Sequence, residues 1–214
     1  MKYARTYHLT WTKSATKDDK ILSNIDSFKN KELIYLEKLD GENQVLSRKS
    51  IHARSEDGFG KPWQTYMTRF WNIIRYDIPE DMYICGESLY AIHSIEYQTL
   101  PTCFFVFGIL VGENYLGWDE VKYWCELLGL DTVPEIYKGE ICELPIPNKS
   151  NFGKVCEGYV VRNFNEFKWN DFKDNVAKVV RENHVQTNER WETNWKKATF
   201  SEDPIERLLR KIDL

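Results

Sequence analysis

Three short apolar runs constrain the fold of this chain more than any other feature of its sequence. Residues 33–36 (LIYL), 82–89 (MYICGESL) and 103–111 (CFFVFGILV) are rich in β-prone residues, and each is short enough to form one buried strand. Residues 63–74 and 118–128 instead carry apolar residues at helical spacing. Strands and helices therefore alternate irregularly, which predicts a mixed α and β domain.

Shorter elements are predicted around these five. We expect an extended segment over residues 2–12, a short helix around residues 21–27, and a hairpin in which residues 44–54 pair with the strand that precedes Lys38. With no internal repeat and no linker, the simplest organisation is one domain over residues 1–200 followed by a short helix or tail over residues 201–214. The remaining expectations are loops at 55–62 and 143–153, strands at 157–164 and 175–180, and a polar stretch at 187–200.

Composition indicates a soluble intracellular protein. The chain has 214 residues, 42% of them hydrophobic, and a net charge of −4, which argues against a general nucleic-acid coat protein but leaves room for a local basic groove. The five cysteines are spread along the chain without a C-x-x-C pair, as expected of a reduced cytosolic protein. The N-terminus has no apolar leader, and no stretch is long enough for a membrane span.

Neither the aromatic residues nor the histidines form a pattern that indicates a specific reaction or metal site. The aromatic residues, 14% of the chain, are expected mainly in the core, although flat side chains of this kind also stack on bases. The four histidines lack metal-ligand spacing, so we interpret them as structural or at most adjacent to a phosphate. Asp18-Asp19 is typical of a turn.

The tetrapeptide Lys38-Leu39-Asp40-Gly41 places a lysine where a strand leaves the core. Asp40-Gly41 is a strong turn signal, so Lys38 should emerge at the edge of a pocket. A lysine that is buried or flanked by cations has a lowered pKa and can attack as a neutral amine. Alone, this motif more often marks a solvated lysine than a nucleophile.

The tetrapeptide is the first of an ordered set of charged and aromatic residues, and the order of the whole set is more specific than any one member. Each member of the set lies on or just beyond a predicted strand, and the set as a whole resembles the ATP-dependent RNA ligases of the covalent nucleotidyltransferase superfamily, which also contains DNA ligases and mRNA capping enzymes. The resemblance runs from about Glu37 to Arg181. Its members, in chain order, are Lys38, Arg54, Glu87, Phe107, Glu157 and Lys178.

In that family, the lysine of Lys-x-Asp-Gly attacks the α-phosphate of ATP and forms a lysyl-AMP phosphoramidate, a role that the resemblance gives to Lys38. It also implies that Glu37 reads the adenine amino group and that Leu39 belongs to the nucleotide pocket. Asn43 matches a position that contacts the phosphate or the attacking end, and Arg54 one that holds the ribose or a phosphate.

The central motifs imply further contacts with the nucleotide. Glu87, in Tyr-Ile-Cys-Gly-Glu, matches the glutamate that accepts a hydrogen bond from the ribose, and Phe107 matches the phenylalanine that stacks on adenine. Relatives commonly carry an acidic residue where this chain has Gly108. In Glu-Gly-Tyr-Val, the resemblance implies that Glu157 binds or orients the divalent metal and that Val160 lines the base pocket.

The last motif departs from the family pattern. Relatives carry two lysines at alternate positions of a strand, so that both face the α-phosphate. Lys178 fits the first position, but the next cation is Arg181, three residues later, which strand alternation directs to the opposite face unless the strand has ended or bulged. Residues 183–187 are similar to a sequence that follows this motif in bacterial and phage ligases.

Taken together, the resemblance implies an α+β nucleotidyltransferase fold, ATP-grasp-like, of antiparallel sheets flanked by helices. Only 33 residues follow Arg181, too few for a C-terminal OB-fold. The implied reaction is three-step sealing of RNA ends in RNA repair, with ATP, with Mg²⁺ or Mn²⁺, and with AMP carried on Lys38, in a bacterial or phage-like cytoplasm.

The implied partners are RNA ends, in a nicked duplex or a broken RNA, with DNA as a second candidate substrate. No membrane partner is expected, and a separate end-processing or substrate-binding protein is a further candidate. Attack on a triphosphate also needs cations beside the phosphoryl oxygens, which Lys178 and the metal would supply while lowering the pKa of Lys38. The sequence leaves open a nicked-DNA ligase, a capping guanylyltransferase and a non-catalytic nucleotide or RNA-end binder.

Overall fold

The computed structural model describes residues 3–15, 19–53, 61–182 and 194–212, which form two β-sheets with three α-helices. Two short 3₁₀ helices, Asp26–Phe28 and Trp169–Asp174, connect strands. The α-helices are α1 (Pro62–Ile74), α2 (Trp118–Leu127) and α3 (Pro204–Ile212). The strands are β1 (Tyr7–His8), β2 (Leu33–Lys38), β3 (Glu42–Ser47), β4 (Ile51–Ala53), β5 (Met82–Ser88), β6 (Phe104–Val111), β7 (Asn114–Tyr115), β8 (Asp131–Thr132), β9 (Glu135–Gly139), β10 (Gly158–Asn163), β11 (Phe167–Lys168) and β12 (Val176–Val180).

The first sheet has five strands in the order β1-β12-β10-β2-β9. Its pairings are antiparallel except that β1 runs parallel to β12. Both faces of β2 are buried, because Leu33 and Tyr35 enter one apolar cluster while Ile34 and Leu36 enter another. A strand covered on both sides needs a continuous apolar run, and this is why residues 33–36 lack polar alternation.

The second sheet follows the order β11-β7-β6-β5-β3-β4, with β8 added in parallel to β6. Where β6 pairs with β5, the register shifts between Cys85 and Gly86, so that Phe107 is an extra residue between Val106 and Gly108. A bulge of this kind changes the direction of the bulged side chain. It allows Phe107 and Gly108, although consecutive, to face the same space.

The helices cover the second sheet. One face of α1 is buried, and the indole Nε1 of Trp71 donates a hydrogen bond to the carbonyl oxygen of Ser47 over 2.7 Å. Leu208 of α3 is buried in the same core. No helix in the described part of the chain is long and apolar enough to cross a membrane.

The mixed α+β fold with mainly antiparallel sheets is confirmed, and most predicted strands and helices lie within one or two residues of their expected limits. The hairpin prediction is wrong, because residues 42–53 contain the two strands β3 and β4, and both belong to the second sheet whereas β2 belongs to the first. The turn after Lys38 carries the chain from one sheet to the other. The helix predicted at residues 21–27 is also wrong, since only the 3₁₀ turn Asp26–Phe28 forms there.

Candidate active site

Two neighbouring strands bring Lys38 and Glu157 together, although 119 positions separate them in sequence. Lys38 at the end of β2 pairs with Gly158 at the start of β10. Its Nζ donates to both carboxylate oxygens of Glu157, with distances of 2.7 Å to Oε1 and 2.8 Å to Oε2. A side chain at Gly158 would collide with the backbone carbonyl of Val179, so the position after Glu157 requires glycine.

The Asp40-Gly41 turn is held by backbone contacts. The Asp40 carboxylate accepts hydrogen bonds from the N–H groups of Ser94 and Ile95 over 2.8 and 2.6 Å. The N–H of Gly41 donates to Glu87 over 3.1 Å, and a Cβ at Gly41 would collide with the carbonyl oxygen of Ser88. These two residues set the path of the chain away from Lys38.

A cavity of about 430 Å³ lies between the two sheets, and we call it the inter-sheet cavity. Strand alternation on β12 directs Lys178 and Val176 into it while Ala177 and Val179 enter the apolar cluster on the other face. The predicted site residues that line this cavity come from both sheets and the turn after β2. They are Glu37, Lys38, Leu39, Asn43, Glu87, Phe107, Val160 and Lys178.

Three predicted site residues are not among those that line the cavity. Glu157 is buried and contacts the Nζ of Lys38 instead. Arg54 lies outside the described residues. Arg181 follows the end of β12 and is not among the described residues that line the cavity, although its N–H donates to the carbonyl oxygen of Glu157 over 2.9 Å. The strand does end before Arg181, but this does not direct its side chain into the cavity.

Sequence reasoning missed several residues that line the cavity. Val133 and Arg162 lie within or close to strands, and Arg162 could have been found because it shares a face with Val160 two residues earlier. Four more precede the first long strand and carried no usable signal, because a parallel pairing with a strand far along the chain brings their segment here. They are Tyr3, Arg5, Thr6 and Asp19.

Arg162 supports the aromatic end of the cavity. Its buried guanidinium donates to the carbonyl oxygens of Asn163, Phe107 and Leu116 over 3.1, 3.3 and 2.6 Å, and burial lowers its pKa to about 10. A Cβ at Gly108 would lie 3.6 Å from its Nη1. An acidic side chain at position 108, as the resemblance leads one to expect, would therefore face this guanidinium.

Phe107 is held by an aromatic neighbour on the same side. The rings of Tyr3 and Phe107 meet edge to face with centroids 4.9 Å apart. Val160 lines the cavity from the opposite sheet. A flat apolar ligand would lie between side chains of both sheets.

The charges around Lys38 favour its ammonium form. Burial opposes that charge, but the Glu157 carboxylate, followed by Glu87, outweighs burial and raises the pKa of Lys38 above the ordinary lysine value. The expectation of a lowered pKa is thus wrong as far as the protein's own groups are concerned, because a carboxylate rather than a cation is the nearest charge.

At Glu87, burial determines the direction of the pKa shift. Burial raises the pKa of its carboxyl to about 8, although the nearby Lys38 opposes this shift. Near neutral pH, Glu87 is therefore largely protonated.

Unpartnered polar atoms at the cavity fit a polar ligand. Asn43 Oδ1 and Glu37 Oε1 are buried with no hydrogen-bond partner among the described residues, while Glu37 Oε2 accepts from the backbone and side-chain nitrogens of Asn151 over 3.1 and 2.8 Å. The described residues contain no group of three or more metal-ligating side chains. Glu157 fits Mg²⁺ or Mn²⁺ bound through one carboxylate together with phosphate oxygens.

Comparison with solved structures gives the same fold. Naegleria gruberi RNA ligase with PPi superposes with a TM-score of 0.58 at 16% identity, covering 77% of this chain and 53% of that chain. A variant of the same ligase with ATP and Mn gives a TM-score of 0.52 at 15% identity, covering 73% and 51%. The chain thus spans about half the length of these ligase chains.

Sequence comparison identifies the family through a profile match, not through an individual relative. Curated protein sequences give no significant match. The RNA ligase family profile matches residues 31–180, which is more than half of the chain and includes Lys38, Glu157 and Lys178. The chain belongs to the RNA ligase family.

Proposed function

We propose that the protein is an ATP-dependent RNA ligase that carries AMP on Lys38. The observation that carries this proposal is the position of Lys38, held by Glu157 at a cavity that Lys178, Glu87 and Phe107 also line. Nζ of Lys38 forms a bond with the α-phosphorus of ATP, and the bond to pyrophosphate breaks. AMP then passes to an RNA 5′-phosphate, and a 3′-hydroxyl displaces it to leave a phosphodiester.

Each lining residue is assigned to one part of ATP. Phe107 and Val160, from opposite sheets, hold the base, while Glu37 and Leu39 lie at its edge. Glu87 binds the ribose, and because it is largely protonated near neutral pH it can donate as well as accept a hydrogen bond. Lys178 binds the α-phosphate and neutralises charge that develops on its oxygens, and Asn43, which lines the same cavity, contacts a phosphate or the attacking end. Arg54 and Arg181 remain candidates for the phosphates.

Lys38 must lose a proton before it attacks. Its ammonium form is held by the two oxygens of Glu157, so the resting site keeps the nucleophile inactive but correctly placed. A divalent cation bound by Glu157 would supply positive charge that cancels the carboxylate's field and lowers the pKa of Lys38.

The substrate and setting are proposed from the resemblance to RNA ligases. Naegleria gruberi RNA ligase was solved with PPi and, as a variant, with ATP and Mn, which supports a nucleotide substrate and a divalent cation cofactor here. We propose broken or nicked RNA as the substrate, repair in a bacterial or phage-like cytoplasm as the setting, and a separate end-processing or substrate-binding partner. The five free cysteines agree with a reducing compartment.

The test is covalent labelling with α-³²P-labelled ATP or GTP and Mg²⁺ or Mn²⁺. We expect label from ATP at Lys38, no label in Lys38→Ala, and normal labelling in Lys29→Ala, which removes an exposed lysine. Sealing of nicked RNA and nicked DNA then separates the two polymers. Label from GTP alone would indicate a capping guanylyltransferase, and nucleotide binding without any label would indicate a non-catalytic binder.

A further inference from the structure

A segment that precedes the family-matched region forms part of the inter-sheet cavity. The RNA ligase profile begins at residue 31, yet Tyr3, Arg5, Thr6 and Asp19 line the same cavity as Lys38 and Lys178. This wall therefore comes from a part of the chain that lies outside the family-matched region.

The segment is fastened to the strand that carries Lys178. In the parallel pairing of β1 with β12, His8 is the register partner of Lys178. The N–H of Leu9 and the hydroxyl of Thr12 both donate to the carbonyl oxygen of Lys178, over 2.9 and 3.3 Å. The hydroxyl of Ser14 donates to the carbonyl oxygen of Val180 over 2.6 Å. The backbone on both sides of Lys178 is thereby fixed.

Backbone hydrogen bonds also bring residues 20–22, and with them Asp19, beside His8. The N–H of His8 donates to the carbonyl oxygen of Lys20 over 2.7 Å, and the N–H of Leu22 donates to that of His8 over 2.9 Å. His8 is 3% exposed, and its Nε2 lies 3.2 Å from Oδ1 of Asp19. A buried imidazole is thus held on one side by a carboxylate that lines the cavity.

His8 also lies beside Lys178. Register partners on adjacent strands are about 5 Å apart and present their side chains to the same face of the sheet. Burial and then the Lys178 ammonium lower the pKa of His8, while Asp19 opposes this. At neutral pH the ring is uncharged, so it does not repel the lysine, and its Nε2 lies close enough to the Asp19 carboxylate for a small rotation of the ring to form a hydrogen bond.

We propose that His8 and Asp19 are a positioning pair for Lys178. Asp19 fixes the plane of the imidazole, and the imidazole limits the side-chain freedom of Lys178 so that its Nζ stays directed into the cavity. The pair rests on the proposed function in one respect, namely that Lys178 binds a phosphate of the nucleotide. The ligand whose binding the pair affects is therefore a nucleoside triphosphate. Only the contacts with its phosphates should depend on the pair.

The test compares ATP with adenosine, which lacks phosphates. Binding of both is measured by titration calorimetry in a Lys38→Ala background, where no covalent step follows. Asp19→Ala and His8→Ala should each weaken ATP binding about tenfold, or about 1.4 kcal/mol, and leave adenosine binding unchanged. Asp19→Asn and His8→Gln keep the acceptor and the donor, so ATP binding should remain close to that of the parent protein.

Asp26→Asn is the matched control, because it removes a carboxylate from the same part of the chain, where that group is 67% exposed and paired with Lys29. It should leave both affinities unchanged. Thermal unfolding of every variant reports whether the fold is retained.

Four outcomes would refute the proposal that His8 and Asp19 position Lys178. Equal losses for ATP and adenosine would show a structural role only. Equal losses for Asp19→Asn and Asp19→Ala would mean that Asp19 acts through its own charge. Unchanged ATP binding in the alanine variants, or no ATP binding by the parent protein, would also refute it. If ATP binding follows the expected series but the wild type takes up no label at Lys38, the pair stands and the ligase function fails.

Discussion

Replacing Glu157 with glutamine should change the two reactivities of Lys38 in opposite directions. The carboxylate is 4% exposed and accepts from Nζ through both oxygens, so it holds the proton on the lysine. Glutamine keeps the shape but removes the charge. Lys38 should then become more reactive toward a neutral reagent, while its reaction with ATP and a divalent cation should fall.

The magnitudes follow from the charges around Lys38. At pH 8, an ordinary lysine with a pKa of about 10.4 is neutral in roughly 0.4% of molecules, and each further pKa unit lowers this fraction tenfold. Glu157 raises the pKa of Lys38 above the ordinary value, so its loss should increase the neutral fraction about tenfold or more. Adenylylation should fall about 10- to 100-fold, because the proposed function assigns the divalent metal to this carboxylate.

Stability should fall as well. Breaking a buried ion pair by removing one partner costs about 3–5 kcal/mol, and we expect about 2–3 kcal/mol because the Lys38 side chain is 25% exposed. Since the folded pKa of Lys38 lies above its unfolded value, its contribution is complete below that unfolded value and is lost as pH rises through the folded one. The loss in Glu157→Gln should therefore be constant between pH 6 and 9.

The assay is acylation by a small neutral ester at pH 7–9, with modification of Lys38 followed by peptide mass spectrometry, alongside ³²P labelling and urea unfolding. Glu96→Gln is the matched control, because it removes a carboxylate that is 61% exposed and paired with Lys154. Exposed pairs contribute little, so this variant should match wild type. Equal or slower acylation of Lys38 in Glu157→Gln would refute the reasoning, because the carboxylate would then not be holding the proton.

Three further predictions concern the same cavity. Phe107→Ala should weaken ATP binding by about 1–3 kcal/mol through lost stacking, measured by calorimetry in the Lys38→Ala background, while Phe107→Tyr retains it. Gly41→Ala should lower the free energy of unfolding by about 1–3 kcal/mol, measured in urea, because its methyl group meets the carbonyl of Ser88. Glu87→Gln should stabilise the protein by about 1–3 kcal/mol at pH 9 but little at pH 4, since each pKa unit corresponds to about 1.4 kcal/mol.

The sign for Glu87 follows from its raised pKa. The folded state binds the proton up to about pH 8, whereas an unfolded glutamate releases it near 4.5, so wild-type stability declines between these values. Glutamine cannot ionise and removes that decline. A pH profile of Glu87→Gln parallel to that of wild type would contradict the raised pKa.

Controls for the other two predictions come from exposed positions. Tyr76→Ala removes an aromatic side chain that is 67% exposed and should leave ATP binding unchanged. Gly112→Ala adds a methyl group where no atom lies within 4 Å, although its φ of +57° makes any side chain there somewhat strained. A loss for Gly112→Ala as large as that for Gly41→Ala would mean that backbone strain, and not collision, explains both.

Local sequence was sufficient for most individual elements. The apolar runs at 82–89 and 103–111 became β5 and β6, and the helical spacing at 63–74 became α1, because burial and periodicity act over neighbouring residues. The very short strands β7, β8 and β11 were not predicted, since two residues carry no period. The bulge at Phe107 was also beyond the sequence, because it depends on the register with β5.

The sequence by itself determined which chemistry is present: a lysine before an Asp-Gly turn, and glutamates, a phenylalanine and a second lysine in order on later strands. Only the tertiary structure decided how these groups act on each other. The pairing of β2 with β10 brings Glu157 to Lys38 and raises the lysine's pKa, and the parallel pairing of β1 with β12 brings His8 beside Lys178. The physical reason is that periodicity is a local property, whereas strand register and the sum of electric fields depend on residues more than a hundred positions apart.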